Sequence, residues 1–362
     1  MRILDRYLVR TFSKVFLGSF VILTVSAVAI DFVSRIGYFL NPEQVEGTFA
    51  EGYGGVKLVF LFYVAYIPFV LKEVIPFVTV ASGLLTLTHM LQRNEVFPVV
   101  AAGVSVRRIF LPLFLAGAVV AAGHVAFQEF AVPALTKEQV ALKRFFSGDR
   151  STGVDDLVHL RDGKGTVTVA ASFSFADRSL GGVVVQRPWT EAGFDRWTAP
   201  RLDPDGRAWR ATEGLEIQPA GVASLPRRMP PGTPVDIGVT PDEVEALASK
   251  KGTADLSYTQ LARIARKFPE RRNLKMALHK QLARPLSSVV LLLCGVPILI
   301  GAGRSHFLGV AIAFGLSAAY YFLDIFFTSL GDRGDLPALF AAWFPLAALL
   351  SLGLARLVTV PT

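Results

Sequence analysis

Six membrane-spanning helices, three on either side of an inserted all-β domain, are what the sequence predicts for this chain. Three observations carry that prediction: an apolar excess that suits lipid better than water, charge concentrated in one central stretch, and a series of long apolar runs outside it. Of the 362 residues, 52% are hydrophobic and only 18% charged, with 28 Phe and a mean hydropathy of +0.46. A soluble domain carries about 25% charge. Residues 131–273 hold 39 charged side chains in 143 positions, whereas the other 219 positions hold 27. The chain is therefore divided into an apolar first part, a polar middle and an apolar last part, at 1–130, 131–273 and 274–362.

The first apolar run, 15–30, has 16 residues, slightly fewer than the ~20 of a typical span. Arg10 and Lys14 complete it by snorkelling. Its basic start resembles a signal peptide, but no small-residue cleavage site follows, and Asp31, Arg35 and Tyr38 come next. It reads as a retained span. The second region is apolar over 58–71 and 74–88, interrupted by Lys72 and Glu73, with Pro68 and Pro76 nearby. Each half alone is too short to cross. One helix over 56–90 measures about 52 Å, so it must project, tilt or kink at its prolines. The third run, 109–127, is interrupted only by His124. The fourth, 285–303, and the sixth, 336–355, carry no charge before Arg304 and Arg356. The fifth, 307–330, is apolar except for Asp324.

Short basic segments set the orientation. Arg2, Arg6, Arg10 and Lys14 precede span one; Arg93, Arg107 and Arg108 lie between spans two and three; Arg304 and Arg356 follow spans four and six. With alternating crossings all nine fall on one face, the cytoplasmic one. Both termini then lie in the cytoplasm and the polar middle outside it. Splitting the second region into two spans would destroy this agreement. The formal charge of +8 and the pI near 9.7 thus mark topology, not nucleic-acid binding.

Within the polar middle, 154–160, 165–175 and 181–187 are short runs rich in β-branched residues. Thr166-Val-Thr-Val169 and Arg207-Ala-Trp-Arg210 alternate polar with apolar. Asp203-Pro-Asp-Gly206 reads as a turn, Pro204 setting φ and Gly206 accepting a positive one. Strands at this spacing predict a sandwich or jelly-roll-like domain. Ser257 and Gln260 form a capping box that opens a helix leading towards span four.

The chain has no G-x-x-x-x-G-K-[ST] phosphate loop, no nucleophile elbow and no H-E-x-x-H. Its five histidines are scattered, and its one cysteine, Cys294, sits in an apolar run as a core residue. Neither a catalytic constellation nor a cofactor or metal site is predicted, so the chain is not expected to be an enzyme. Ionisable residues at membrane depth are the functional candidates instead. Asp31 and Arg35 are one turn apart at the outer end of span one, and either pair with each other or face a cavity. Asp324 faces protein or a water-filled cavity, since lipid exposure costs a few kcal/mol.

Several stretches together resemble the lipopolysaccharide-export permeases of the LptF/LptG family. They are Leu4-Asp5-Arg6-Tyr7 near the start, the segment 91–105 followed by Arg107 and Arg108, and the paired Pro68 and Pro76. Ala208-Trp209-Arg210, Arg284-Pro285-Leu286, Phe322-Leu323-Asp324 and Leu336-Pro337 continue the likeness. The resemblance spans nearly the whole chain, and Leu4-Asp5-Arg6-Tyr7 and Leu323-Asp324 lean towards LptG. It implies a bacterial inner-membrane permease of ABC type, a heterodimer of LptF and LptG homologues with a jelly-roll periplasmic domain. An LptB-like ATPase dimer supplies the phosphate loop, and an LptC/LptA-like periplasmic bridge receives the lipopolysaccharide. Glu95 matches the acid that opens a cytoplasmic coupling helix at about 94–103, with Ala101, Ala102 and Gly103 ending it. Pro98 departs from the usual pattern, in a helix expected to be capped by Asn94. The resemblance places Asp31 where the family usually has a cation lining its lipid cavity, with Arg35 near that position but not aligned with it; Arg35 is expected to attract glycolipid phosphates, and Asp31 and Asp324 to line the gate between spans one and five. The reading from another class is a non-transporting scaffold that displays its β domain for envelope assembly.

Overall fold

The computed structural model describes residues 2–40, 55–147, 158–161, 165–174, 177–187, 195–206, 208–218, 225–248, 256–269, 271–302 and 305–359. It divides into two units, one of residues 1–147 with 275–362 and one of residues 148–274.

The first unit is helical. Its elements are α1 (Arg2–Leu40), α2 (Gly55–Gln92), α3 (Val96–Ala101), α4 (Val106–Ser147), α7 (Arg272–Ala302), α8 (His306–Arg333) and α9 (Ala338–Thr359). Six of these helices are long and apolar enough to cross a membrane; α3 is the exception. A continuous α2 with Pro68 and Pro76 inside it makes the second region a single span. Lys72 and Glu73 do not break it because both find partners. The Lys72 side chain is buried, with its ammonium 5.5 Å from the Phe69 ring centroid, and Glu73 pairs with Arg284 of α7.

The core of this unit joins Leu84, Leu87 and Met90 of α2 to Phe110 and Leu113 of α4 and to Leu292 and Val296 of α7. Helices without a hydrophobic drive between them meet through small residues. Gly83 lies against Leu292 and Gly295 against Leu84, so α2 and α7 approach where neither has a Cβ to spare. Cys294 is buried there, its thiol donating to the Leu349 carbonyl of α9 at 2.9 Å. The α4 helix continues to Ser147, well past its apolar run.

The second unit is an antiparallel sheet with two helices. Its strands are β1 (Val158–Arg161), β2 (Val167–Ser174), β3 (Ser179–Gln186), β4 (Arg196–Asp205), β5 (Ala208–Ala211), β6 (Leu215–Gln218), β7 (Arg227–Met229) and β8 (Thr233–Val235). They run in the order β1-β2-β3-β4-β5-β8, with β6 pairing β4 and β7 pairing β6. The long β4 serves two partners, Leu202–Asp205 facing β5 and Arg196–Thr198 facing β6.

The turn expected at 203–206 is displaced. Pro204 and Asp205 belong to β4, opposite Trp209 and Ala208, and the chain reverses at Gly206, whose φ of +63° favours glycine. Proline is tolerated in β4 because β3 pairs no further than Leu202. Burial opposes ionisation of Asp203, but hydrogen bonds from Thr212 and Arg201 outweigh it and hold the carboxyl below its ordinary range. Its stabilising contribution is therefore present above the unfolded-state pKa and lost as pH falls through the lowered folded-state pKa.

Trp209 is 1% exposed, and its indole N–H donates to the Val239 carbonyl at 2.6 Å. Trp209→Ala is expected to destabilise this unit by about 3–5 kcal/mol, read as a lowered melting midpoint of the β-sheet circular dichroism. An unchanged midpoint would remove Trp209 from the core.

Ser257 and Gln260 form the expected capping box at the start of α6 (Tyr258–Lys267). The preceding α5 (Pro241–Ala248) was not anticipated. Its signal is the same box: Thr240 N–H donates to Glu243 Oε2, Glu243 N–H donates to Thr240 Oγ1, and Pro241 stands at the first helical position. Lys267 then pairs with Glu243 at 2.5 Å, joining α6 to α5.

Candidate functional site

Charge at membrane depth is organised around α7. Lys280 and Arg284 are one turn apart and share a helix face. The Lys280 ammonium lies 2.9 Å from Asp324 Oδ2 on α8. Arg284 Nη1 donates to Glu73 Oε1 on α2 at 2.9 Å, and the Tyr321 hydroxyl donates to the Glu73 carbonyl at 3.3 Å. Asp324 is 4% exposed, and Thr328 donates from its hydroxyl to the Asp324 carbonyl. A groove of about 520 Å³ opens here, lined by Lys280, Arg284, Asp324, Thr328, Asp332 and Arg333 among others. Asp324 is thus one wall of a charged groove and the partner of a specific cation.

Lys280 was not among the sequence candidates because it precedes the uncharged run 285–303 of span four. The available signal was two cations four residues apart, with a single acid in the facing apolar helix. His124 is 2% exposed and shares a 3.2 Å hydrogen bond with Gln128.

Asp31 lies elsewhere. Its Oδ2 accepts from the Tyr63 hydroxyl of α2 at 3.2 Å, so Asp31 and Asp324 are held by different helices. Arg35 lies on α1 one turn beyond Asp31; its side chain is outside the described residues, as are Arg207 and Arg304.

At the far end of α2, the chain leaves the helix through Asn94, whose φ is +55°, and enters the six-residue α3. The N-cap is Glu95 and not Asn94, because Asn94 adopts the left-handed conformation that ends α2. Pro98 is consequently the third helical residue, within the first turn, where no amide has an intrahelical acceptor. It costs the helix no hydrogen bond. One face of α3 carries Val96, Val99 and Val100 against the helical core, while Phe97, Ala101 and Ala102 are exposed. Gly103, with φ of +81°, turns the chain out of α3.

The Glu95 side chain does not cap α3. Its Oε1 accepts from the Tyr7 hydroxyl of α1 at 3.2 Å, whereas Oε2 has no hydrogen-bond partner among the described residues. Tyr7 belongs to the Leu4-Asp5-Arg6-Tyr7 stretch, so two separate motifs of the sequence meet at one hydrogen bond.

The family described as lipopolysaccharide export system permease LptF/LptG has a model that matches residues 6–359. The chain belongs to the LptF/LptG family. The match takes in all six apolar helices and the β insert, so this LptF/LptG permease is a multi-pass inner-membrane protein and a transporter component rather than a catalytic enzyme. No curated protein sequence matches it significantly.

Proposed function

We propose that this chain is the permease subunit of an ABC-type transporter. It extracts lipopolysaccharide from the inner membrane and passes it to an LptC/LptA-like periplasmic bridge. The observation that carries the reading is α3, a short helix seated on the helical core with an acid at its start and an exposed outer face of Phe97, Pro98, Ala101 and Ala102. Such a segment suits docking into a groove of a soluble ATPase, here an LptB-like dimer, and Glu95, Ala101, Ala102 and Gly103 form the contact. A homologous permease completes the heterodimer, this chain taking the LptG-like place.

In this reading the basic segments and both termini are cytoplasmic, residues 131–273 form the periplasmic domain, and 1–130 with 274–362 form the membrane part. ATP binding draws the ATPase dimer together, and α3 transmits that motion to α2 and α4. A lipid cavity then closes on Asp31, Arg35 and Asp324. A photo-crosslinking residue at position 35 or 324 is expected to capture lipopolysaccharide, with little capture at the exposed Val119 of α4. Capture at position 119 alone would remove the cavity assignment.

A further inference from the structure

We propose that the seam where α4 begins and α9 ends binds an acidic glycerophospholipid of the surrounding leaflet, with Arg107, Arg108 and Arg356 as its headgroup ligands. The proposal is independent of what the permease exports. It rests on two spans, their cations and the apolar side chains below them.

The two helices meet at a polar contact. Arg107 Nη2 donates to the Val358 carbonyl near the end of α9 at 3.5 Å, which sets Arg356, two residues earlier, at the same end of the helical unit. Arg107, Arg108 and Arg356 are all exposed. No acid of their own segments opposes them, since residues 96–128 and 336–362 contain neither Asp nor Glu. Glu95, just before this stretch, is turned to the Tyr7 hydroxyl. Orientation in the membrane requires an excess of cations at this end of the spans, but not that cations of two helices converge without an acid among them. The seam therefore favours an anion.

Depth says which anion. Arg108 immediately precedes the apolar run 109–127 and Arg356 immediately follows 336–355, so both fall in the headgroup layer, about 5–8 Å deep on each side of the hydrocarbon. Arg108, Leu111, Leu115 and Val119 lie within about 80° of one another round α4, at about 100° per residue. Ile109, Phe110 and Leu113 take the other side and pack into the core.

Leu111, Leu115 and Val119 are 52%, 59% and 72% exposed. They lie ~4.5, ~10.5 and ~16.5 Å along the helix from Arg108, which matches one leaflet, half of about 30 Å of hydrocarbon. Leu354, one turn before the end of α9, is 48% exposed. A cationic head above an apolar track one acyl chain long selects an amphiphile over a soluble anion. A guanidinium fork matches phosphate oxygens two at a time, and an acidic glycerophospholipid has no ammonium of its own to compete for them.

The test uses the full-length chain with its co-purifying subunits in phosphatidylcholine nanodiscs, without ATP or lipopolysaccharide. Photoactivatable phosphatidylglycerol and phosphatidylethanolamine, each with the same diazirine in an acyl chain, are compared by mapping labelled peptides over 107–119. Each cation at a bilayer surface is worth about fivefold in affinity for an anionic lipid, so two on one phosphate predict about a 25-fold preference for phosphatidylglycerol. Arg107→Gln/Arg108→Gln/Arg356→Gln is expected to bring the preference below about twofold, with phosphatidylethanolamine labelling unchanged. Arg108→Gln alone keeps the Arg107 contact with α9, which guards against misfolding of the triple variant, and is expected to lower the preference about fivefold.

Equal labelling by both probes in the wild-type protein overturns the proposal, as does no drop with Arg108→Gln. Labelling by neither probe also overturns it, because protein then covers the seam.

Discussion

Glu95→Lys is expected to strip the permease of its ATPase during purification while leaving the chain folded. The substitution reverses the charge at the start of α3 and removes the acceptor of the Tyr7 hydroxyl, 3.2 Å away. Losing that internal bond costs about 1 kcal/mol, too little to unfold a helical unit of this size. Across an interface the effect is larger, since removing one partner of a buried charged contact costs about 2–5 kcal/mol. Each 1.4 kcal/mol is about tenfold in affinity, so binding should fall from roughly thirtyfold to a few thousandfold.

Tyr7→Phe removes the hydroxyl alone and should show a smaller loss in the same pull-down, because Glu95 keeps its charge but not its fixed rotamer. Retention of the ATPase by Glu95→Lys, with hydrolysis still coupled to lipid release, would show that α3 is not the coupling element.

Asp324→Leu is expected to destabilise the helical unit. It leaves the Lys280 ammonium, 14% exposed, without its counter-charge. An uncompensated buried charge costs about 3–5 kcal/mol, whereas replacing both partners by apolar groups of similar size is often neutral. Lys280→Leu/Asp324→Leu is therefore expected to recover most of the lost melting temperature in detergent. If the double variant melts as low as the single one, the ion pair is not what joins α7 to α8.

The membrane architecture was legible because the bilayer constrains it so strongly. A span must be about 20 residues long and apolar, with its backbone bonded within the segment; six stretches met or came near that requirement, and six helices among the described residues are long and apolar enough to cross. Local hydrogen-bond signatures were equally readable. Ser257 and Gln260 closed the capping box over three residues. Strands β1 to β3 fall on the β-branched runs at 154–160, 165–175 and 181–187, and β5 on the alternating stretch at 207–210, whereas β4, β6, β7 and β8 carried no such run. The two local misreadings have local causes. Pro204 reads as a turn former, but the reversal needs a positive φ and therefore falls on Gly206. Asn94 reads as a cap, but its left-handed conformation assigns it to the end of α2 and passes the cap to Glu95.

The sites depended on contacts between distant residues. Tyr7 meets Glu95 across 88 positions, Lys280 meets Asp324 across 44, and Glu73 meets Arg284 across 211. Composition and periodicity describe a helix relative to its own axis; they do not say which neighbour each face will meet. That is decided by close packing, where Gly83 and Gly295 let α2 and α7 approach and bring Glu73 beside Arg284. The sequence by itself determined the number of spans, the β insert and the family. Tertiary structure alone decided that the single acid of span five has a lysine for a partner, and that the acid of α3 is held by a tyrosine of α1. The physical reason is range. Solvation and backbone bonding act on each segment separately, while charge pairing at membrane depth requires particular helix faces to be brought within about 3 Å.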